Sequence, residues 1–153
     1  MHVELESEPQ TELVDRLLRA FPSWFGIESS IVAYVEAARR LPALVARADN
    51  GTAIGVLLYE RHFPESVEIH LMAVDPAWHR RGAGRALVRA LEDVICADGT
   101  RVLSVKTLGP SRLDENYRRT RLFYEACGFA PVEEFLDLWP DNPCLLMVKS
   151  LCP

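Results

Sequence analysis

The spacing of apolar residues along the chain switches between a helical and a strand period, which predicts a mixed α/β fold. Residues 11–20 place three leucines on one helical face, with charged residues between them. A second helix should begin after a cap at Ser29 or Ser30 and end before Pro42. After a short first strand at residues 3–6, the expected order is ααβββαβαββ. The other strands are predicted at residues 43–48, 54–60, 67–74, 101–107, 132–138 and 144–151, and the other helices at residues 84–97 and 117–127.

The size and composition of the chain favour one globular domain spanning residues 1–153. A chain of 153 residues can bury about 68–70% of its unfolded surface. Its 49% hydrophobic and 25% charged residues are typical of a soluble protein. The net charge of −5 argues against a nucleic acid or an acidic membrane as the main partner.

Targeting and metal-binding signals are weak. The first ten residues lack the basic and apolar regions of a signal peptide, and no apolar run approaches the ~18 residues of a membrane span, so a cytoplasmic location is expected. The four cysteines form neither a CxxC pair nor a cluster with histidine. We therefore expect reduced cysteines and no metal site.

A glycine-rich turn between a predicted strand and a predicted helix is the main candidate for chemistry. The turn reads HRRGAG, and its Gly82 and Gly84 allow backbone N–H groups to approach a ligand closely. The unpaired N–H donors and positive dipole end of the following helix favour a phosphate there. Arg80, Arg81 and Arg85 add positive charge. The sequence therefore predicts a site for a diphosphate-bearing cofactor.

Other interpretations of this turn fit less well. A dinucleotide-binding turn needs a third glycine where this chain has Leu87, and a Walker loop needs a GK[ST] ending that is missing. A glycine-containing helix start without a ligand remains open, because a lone GxG is a weak signal.

Two segments together resemble the GNAT superfamily of N-acetyltransferases. The turn from His79 to Gly84 resembles the [Q/R]xxGx[G/A] turn of motif A, with histidine where that family usually has Gln or Arg. Downstream, residues 122–129 read LFYEACGF and resemble motif B, a helix that carries a tyrosine and ends in Gly-Phe. The resemblance implies the acyl-CoA N-acyltransferase architecture, a mixed central sheet of six to seven strands flanked by helices.

The resemblance also implies a cofactor and a reaction. Acetyl-CoA would bind at the turn and at the end of the preceding strand, without a metal. The acetyl group would pass to a primary amine of a small molecule or peptide by direct attack on the thioester. The implied cofactor-binding residues are Met72, Ala73, Val74, Arg80, Arg81, Gly82, Ala83, Gly84, Arg85 and Ala86, together with Asn116 and Tyr117 near the last helix.

Two residues are candidates for proton transfer. Tyr124 has the place of the motif B tyrosine, which in the family protonates the leaving thiolate, while core packing is its alternative. Glu68 matches a general base used by histone acetyltransferases of the superfamily, while a cross-strand ion pair is its alternative. Some members of the family carry the base on the strand that corresponds to residues 104–107, and the missing carboxylate there favours Glu68, or water alone.

The acceptor site is expected opposite the cofactor. Trp24, Phe25 and Trp139 would line an apolar pocket, with His70 on the same strand as Glu68, and core packing is the alternative for the aromatic residues. A small, aromatic or hydrophobic amine is the expected acceptor, and the resemblance allows a homodimer. From another functional class, a catalytically silent acyl-CoA sensor or interaction domain would keep the cofactor site without an acceptor site.

Overall fold

The computed structural model describes residues 1–21 and 28–151. These residues form seven strands in one sheet, ordered β1-β2-β3-β4-β5-β7-β6, together with four α-helices. Strands β4 and β5 are parallel, whereas β1 with β2, β2 with β3, β5 with β7 and β6 with β7 are antiparallel. The predicted mixed sheet flanked by helices is confirmed. The elements are β1 His2–Glu6, α1 Thr11–Arg19, α2 Glu28–Arg40, β2 Ala43–Arg47, β3 Ala53–Phe63, β4 Ser66–Val74, α3 Ala83–Ala97, β5 Val102–Leu108, α4 Glu115–Ala126, β6 Ala130–Trp139 and β7 Asn142–Ser150.

The first of two compact units comprises residues 1–60 and 70–95. Its core forms where the leucine face of α1 and the inner face of α2 pack on apolar residues of β2, β3 and the end of β4. Leu17 and Leu18 are almost fully buried there, as their shared helical face predicts. The helix that carries the glycine-rich turn, α3, also belongs to this unit.

The second unit comprises residues 61–69 and 96–153. The pairing of β4 with β5 runs in register from Ser66 opposite Val102 to Ile69 opposite Val105. Strand β7 lies between β5 and the edge strand β6. Cys127 and Cys144 of this unit are buried, and burial raises the pKa of the Cys144 thiol, which keeps it protonated.

Some predicted boundaries are wrong for identifiable reasons. Helix α2 begins at Glu28, so Ser29 and Ser30 lie inside its first turn and do not cap it. Strand β3 continues past Glu60 to Phe63. The polar residues that suggested an early end are compatible with the strand because their side chains find partners on neighbouring elements, as His62 does on Glu68.

The last helix begins two residues before the predicted start at Tyr117. The carboxylate of Asp114 accepts a hydrogen bond from the backbone N–H of Tyr117 at 3.1 Å, which is an N-cap contact. Helix α4 therefore starts at Glu115. The helix ends before Gly128, whose φ of +99° supplies the predicted stop.

Candidate active site

The glycine-rich turn joins the end of β4 to the start of α3 through a single 3₁₀ turn at Pro76–Trp78. Arg80 and Gly82 both have positive φ, +62° and +85°. The carbonyl of Gly82 accepts the first helical hydrogen bond of α3, from the N–H of Ala86 at 2.9 Å. The N–H groups of the first turn of α3 point out of the helix, and that turn has no acidic residue. The turn therefore has the positive φ angles and the open helix N-terminus on which the prediction of an anion cradle rests, and anion binding stays a prediction.

The space in front of the turn is open. A Cβ placed on Gly82 would meet nothing within 4 Å among the described residues. Arg80, Arg81 and Arg85 are exposed around the turn, whereas the methyl group of Ala83 is buried and anchors the helix. The guanidinium of Arg81 lies 5.1 Å from the centre of the Trp78 ring, a cation–π distance. Negative charge brought to this turn would therefore meet three cationic side chains and the helix N-terminus.

The chain leaves β4 through a fixed corner. The N–H of Asp75 donates to the carbonyl of Ile54 in β3 at 2.8 Å, and the Asp75 carboxylate accepts from the N–H of Ala77 at 2.9 Å. Nε2 of His79 donates to the carbonyl of Val74 at 2.9 Å. The structure thus brings the predicted turn next to the predicted strand end at Val74.

The backbone groups of β4 alternate between its two edges. Asp75 directs its N–H to β3, and the carbonyl of Ala73 lies 3.5 Å from a Cβ built on Gly55 of β3. Because successive residues of a strand direct their N–H groups to opposite edges, Met72 and Val74 direct theirs away from β3. These two half-buried residues therefore offer the backbone donors of the strand end, while Ala73 supports the sheet.

Glu68 is buried, with 8% of its surface exposed, and each of its oxygens has a cationic or imidazole partner. Lys106 Nζ lies 2.8 Å from Oε2, and His62 Nε2 lies 2.7 Å from Oε1. Burial alone raises the pKa of this carboxyl, but the hydrogen bonds from Lys106 and His62 outweigh burial, and the net pKa lies below its ordinary value of 4.5. Glu68 is therefore ionised at neutral pH. The cross-strand ion pair considered from the sequence is present, and the role of general base stays a prediction.

Tyr124 is buried in α4, between two aromatic rings of its own unit. Its ring meets Phe123 at 5.3 Å and Phe129 at 5.4 Å, both edge to face. The N–H of Phe129 donates to the carbonyl of Tyr124 at 3.0 Å, which closes the helix end around Gly128. Packing therefore fixes the phenol ring, and its role as acid stays a prediction.

Asn116 and Tyr117 lie in the first turn of α4, and one backbone group of each is hydrogen-bonded to a nearby side chain. The carbonyl of Asn116 accepts from the hydroxyl of Thr120 at 3.2 Å, and the N–H of Tyr117 is used by the Asp114 cap. The N-cap role of Asp114 was not predicted from the sequence, although Asp before a helical stretch is a known start signal. The role of Asn116 and Tyr117 in binding the cofactor stays a prediction.

The residues predicted for the acceptor site are described only in part. The His70 ring is half-buried and meets the Tyr34 ring of α2 edge to face at 5.6 Å. Trp139 closes β6 in register with Asn142. Trp24 and Phe25 lie outside the described residues.

Two negative findings hold for residues 1–21 and 28–151. They contain no group of three or more His, Cys, Asp or Glu side chains placed to hold a metal ion. Within the same ranges, each helix is too short or too polar to span a membrane.

Comparison with known proteins places this geometry in a family. The acetyltransferase (GNAT) domain family matches residues 39–131, more than half of the chain. None of the curated proteins compared with the chain matches it in sequence.

Solved structures share the fold. A protein assigned to the GNAT acetyltransferases from Desulfovibrio desulfuricans is 18% identical with a TM-score of 0.83, and the alignment covers 98% of both chains. An aminoglycoside 6'-N-acetyltransferase complexed with coenzyme A is 18% identical with a TM-score of 0.74, over 100% of this chain and 98% of that one. The ribosomal-protein-S18-alanine N-acetyltransferase of Escherichia coli is 16% identical with a TM-score of 0.73, over 99% and 95%. With the family match over residues 39–131 and a strand, glycine turn and helix arranged for an anion, this chain belongs to the GNAT family of acetyltransferases.

Proposed function

We propose that this protein is an N-acetyltransferase that uses acetyl-CoA to acetylate a primary amine of a small molecule or peptide. The observation that carries the proposal is the turn at the N-terminus of α3, where two positive-φ residues, exposed arginines and a helix start without acidic residues meet. Membership of the GNAT family and the coenzyme A complex of a protein with the same fold support the choice of cofactor.

The residues of this turn fit a diphosphate. The N–H groups from Gly82 to Arg85 would hold the phosphate oxygens, because the N–H of Ala86 already donates to the carbonyl of Gly82. Arg80, Arg81 and Arg85 would balance the charge. When bound, the cofactor supplies an acetyl group activated as a thioester. The N–H groups of Met72 and Val74 would bind the carbonyl end of the cofactor and stabilise the negative charge that develops on its oxygen.

Proton transfer is assigned to Glu68 and Tyr124. Glu68 would take a proton from the acceptor amine through a water molecule, since both carboxylate oxygens already have protein partners. A lowered pKa makes Glu68 a weak base, so water without Glu68 is the competing route. Tyr124 would donate its phenolic hydrogen bond to the departing sulfur.

The acceptor is proposed as an amine because proteins with this fold act on amines. They include acetyltransferases of aminoglycosides, of phosphinothricin and of an alanine of ribosomal protein S18. We assign His70 and Trp139 to the acceptor side, with Trp24 and Phe25. The alternative function is an acyl-CoA sensor. Such a protein would keep the cofactor site at the glycine-rich turn but would not acetylate an acceptor.

Ligand-dependent stability tests the cofactor. Thermal unfolding would be measured for the protein alone and with acetyl-CoA, CoA, NAD or ATP. A ligand at about 100 times its dissociation constant adds about 2.7 kcal/mol to the free energy of unfolding. A rise in Tm specific to the two CoA species is expected. No rise with either CoA species would overturn the proposal.

Thiol release separates the enzyme from the sensor. Acetyl-CoA would be incubated with the protein and with kanamycin, phosphinothricin, spermidine or a peptide with a free N-terminal alanine, and free CoA would be detected with a thiol reagent. Amine-dependent release with an acetylated product supports the enzyme. Binding of CoA with no release across a broader amine panel would favour the sensor.

A further inference from the structure

We propose that His79 is a positioning residue that holds the end of strand β4 in the orientation needed to bind the thioester. The inference rests on the proposed function and concerns the residue by which this chain departs from the family pattern. Its starting observation is the hydrogen bond of 2.9 Å from His79 Nε2 to the carbonyl oxygen of Val74.

The peptide group between Val74 and Asp75 is held from both sides. Its carbonyl accepts from His79, and its N–H donates to the carbonyl of Ile54 at 2.8 Å. A peptide unit is planar, so two opposed hydrogen bonds fix its orientation and with it the ψ angle of Val74. The N–H of Asp75 is used by the sheet and is not a donor for the cofactor. The strand end therefore presents the N–H groups of Met72 and Val74 from a fixed frame.

The His79 ring is itself held in place. It stacks on the ring of Phe21, with centroids 5.4 Å apart and planes inclined by 19°. Phe21 is 6% exposed, belongs to the core of its unit, and donates its N–H to the carbonyl of Leu18. An imidazole fixed by a core residue donates a hydrogen bond with little loss of side-chain entropy.

The position of His79 in the sequence explains why this link matters. His79 directly precedes Arg80 at the start of the glycine-rich turn. Its side chain therefore joins this turn to Val74, the last residue of strand β4. Gln, Arg and His differ in shape and charge, but each carries a side-chain N–H donor. Histidine supplies this donor in both its neutral Nε2–H form and its charged form.

Two variants separate the donor from the ring. H79F keeps an aromatic ring to stack on Phe21 and removes the donor, whereas H79Q keeps a donor and removes the ring. The matched control is H2F, because His2 is an exposed histidine whose Nε2 lies 3.1 Å from Oε1 of Glu4, which is also exposed.

The first readout needs no ligand. Hydrogen exchange of the Asp75 amide, followed by NMR, should become about tenfold faster in H79F and stay within about twofold of the original protein in H79Q and H2F. Unchanged exchange in H79F overturns the proposal. Equal acceleration in H79F and H79Q also overturns it, because a side-chain donor at position 79 would then not be enough to protect the Asp75 amide.

The second readout is the affinity for acetyl-CoA compared with CoA, measured by calorimetry. Damage to the glycine-rich turn would weaken the binding of both ligands equally. Loss of the fixed strand end should weaken acetyl-CoA about five- to tenfold more than CoA in H79F, the factor expected for one hydrogen bond, and H79Q should restore the ratio. An unchanged ratio in H79F overturns the positioning role. Absence of CoA binding by the original protein would instead overturn the proposed function, while the exchange experiment would still decide whether His79 holds the strand end.

Discussion

Nζ of Lys106 lies 2.8 Å from Oε2 of Glu68, so a buried carboxylate of strand β4 is paired with a lysine of the neighbouring strand β5. His62 of β3 holds the other oxygen. The contact makes Glu68 a structural ion-pair partner in addition to a candidate base. These two roles predict different consequences of mutation.

The ion pair should make stability depend on pH. Because the folded pKa of Glu68 lies below 4.5, its stabilising contribution is fully present above pH 4.5 and is lost as the pH falls through the folded pKa. In K106M the carboxylate loses its lysine partner but keeps His62, and Lys106 is about one-third exposed, so the free energy of unfolding at pH 7 should fall by about 1–2 kcal/mol. Urea unfolding at pH 7 and below pH 4.5 measures the effect. A loss of equal size at both pH values would contradict the ion-pair interpretation.

Replacing the carboxylate tests the base. E68Q keeps the shape of the side chain and removes its charge, so both the ion pair and the base are lost. If Glu68 is the base, kcat should fall about 10²-fold or more, in the range of general base catalysis. K106M keeps the carboxylate and is the comparison for instability alone. Similar turnover in E68Q and K106M, each measured well below its Tm, would assign the proton transfer to water.

The positive φ of Gly82 predicts a selective loss of cofactor affinity. G82A places a Cβ in open space, so its cost is backbone strain of about 1 kcal/mol. Gly99 is the matched control, since its φ is +81° and a Cβ there also meets nothing within 4 Å among the described residues. Both variants should lose similar stability, but only G82A should bind CoA more weakly. Equal CoA affinities by calorimetry would show that the turn does not bind the phosphates.

Arg80 combines unfavourable backbone geometry with a charge at the proposed site. Its φ of +62° is strained for a residue with a side chain, and Asp141 has a φ of +65° in the β6–β7 turn. R80G and D141G should each raise the free energy of unfolding by about 0.5–1 kcal/mol through relief of this strain. Only R80G should weaken CoA binding, and more so at low salt, where unscreened charge contributes most. If R80G is less stable but binds CoA with normal affinity, Arg80 stabilises the fold and does not bind the cofactor.

Replacement of Tyr124 by phenylalanine should separate a catalytic role of the hydroxyl group from the packing role of the ring. In Y124F the ring keeps its contacts with Phe123 and Phe129, so the Tm should change little. Loss of the hydroxyl should lower kcat about 10²-fold while the Kd for CoA stays near its original value. The two quantities are measured by thiol release and calorimetry. An unchanged kcat would show that a group other than Tyr124 donates the hydrogen bond to the departing sulfur.

The sequence by itself determined the order of the elements, the mixed sheet and the glycine-rich turn between β4 and α3. These properties are local. The leucine face of α1, the predicted strand at residues 67–74 and the missing Cβ of Gly82 each depend only on residues that are close together in the sequence. Motif spacing also identified the family. Local pattern could not decide that β3 continues through His62, since a polar side chain ends or extends a strand according to its partner.

Only the tertiary structure decided which polar residues meet. Glu68 and Lys106 are 38 positions apart in the sequence and become neighbours because β5 pairs in parallel with β4. His79 looked like a departure from a motif until folding placed it against Val74 and Phe21. The physical reason is that a hydrogen bond or ion pair acts only at contact distance, and strand pairing and core packing set that distance.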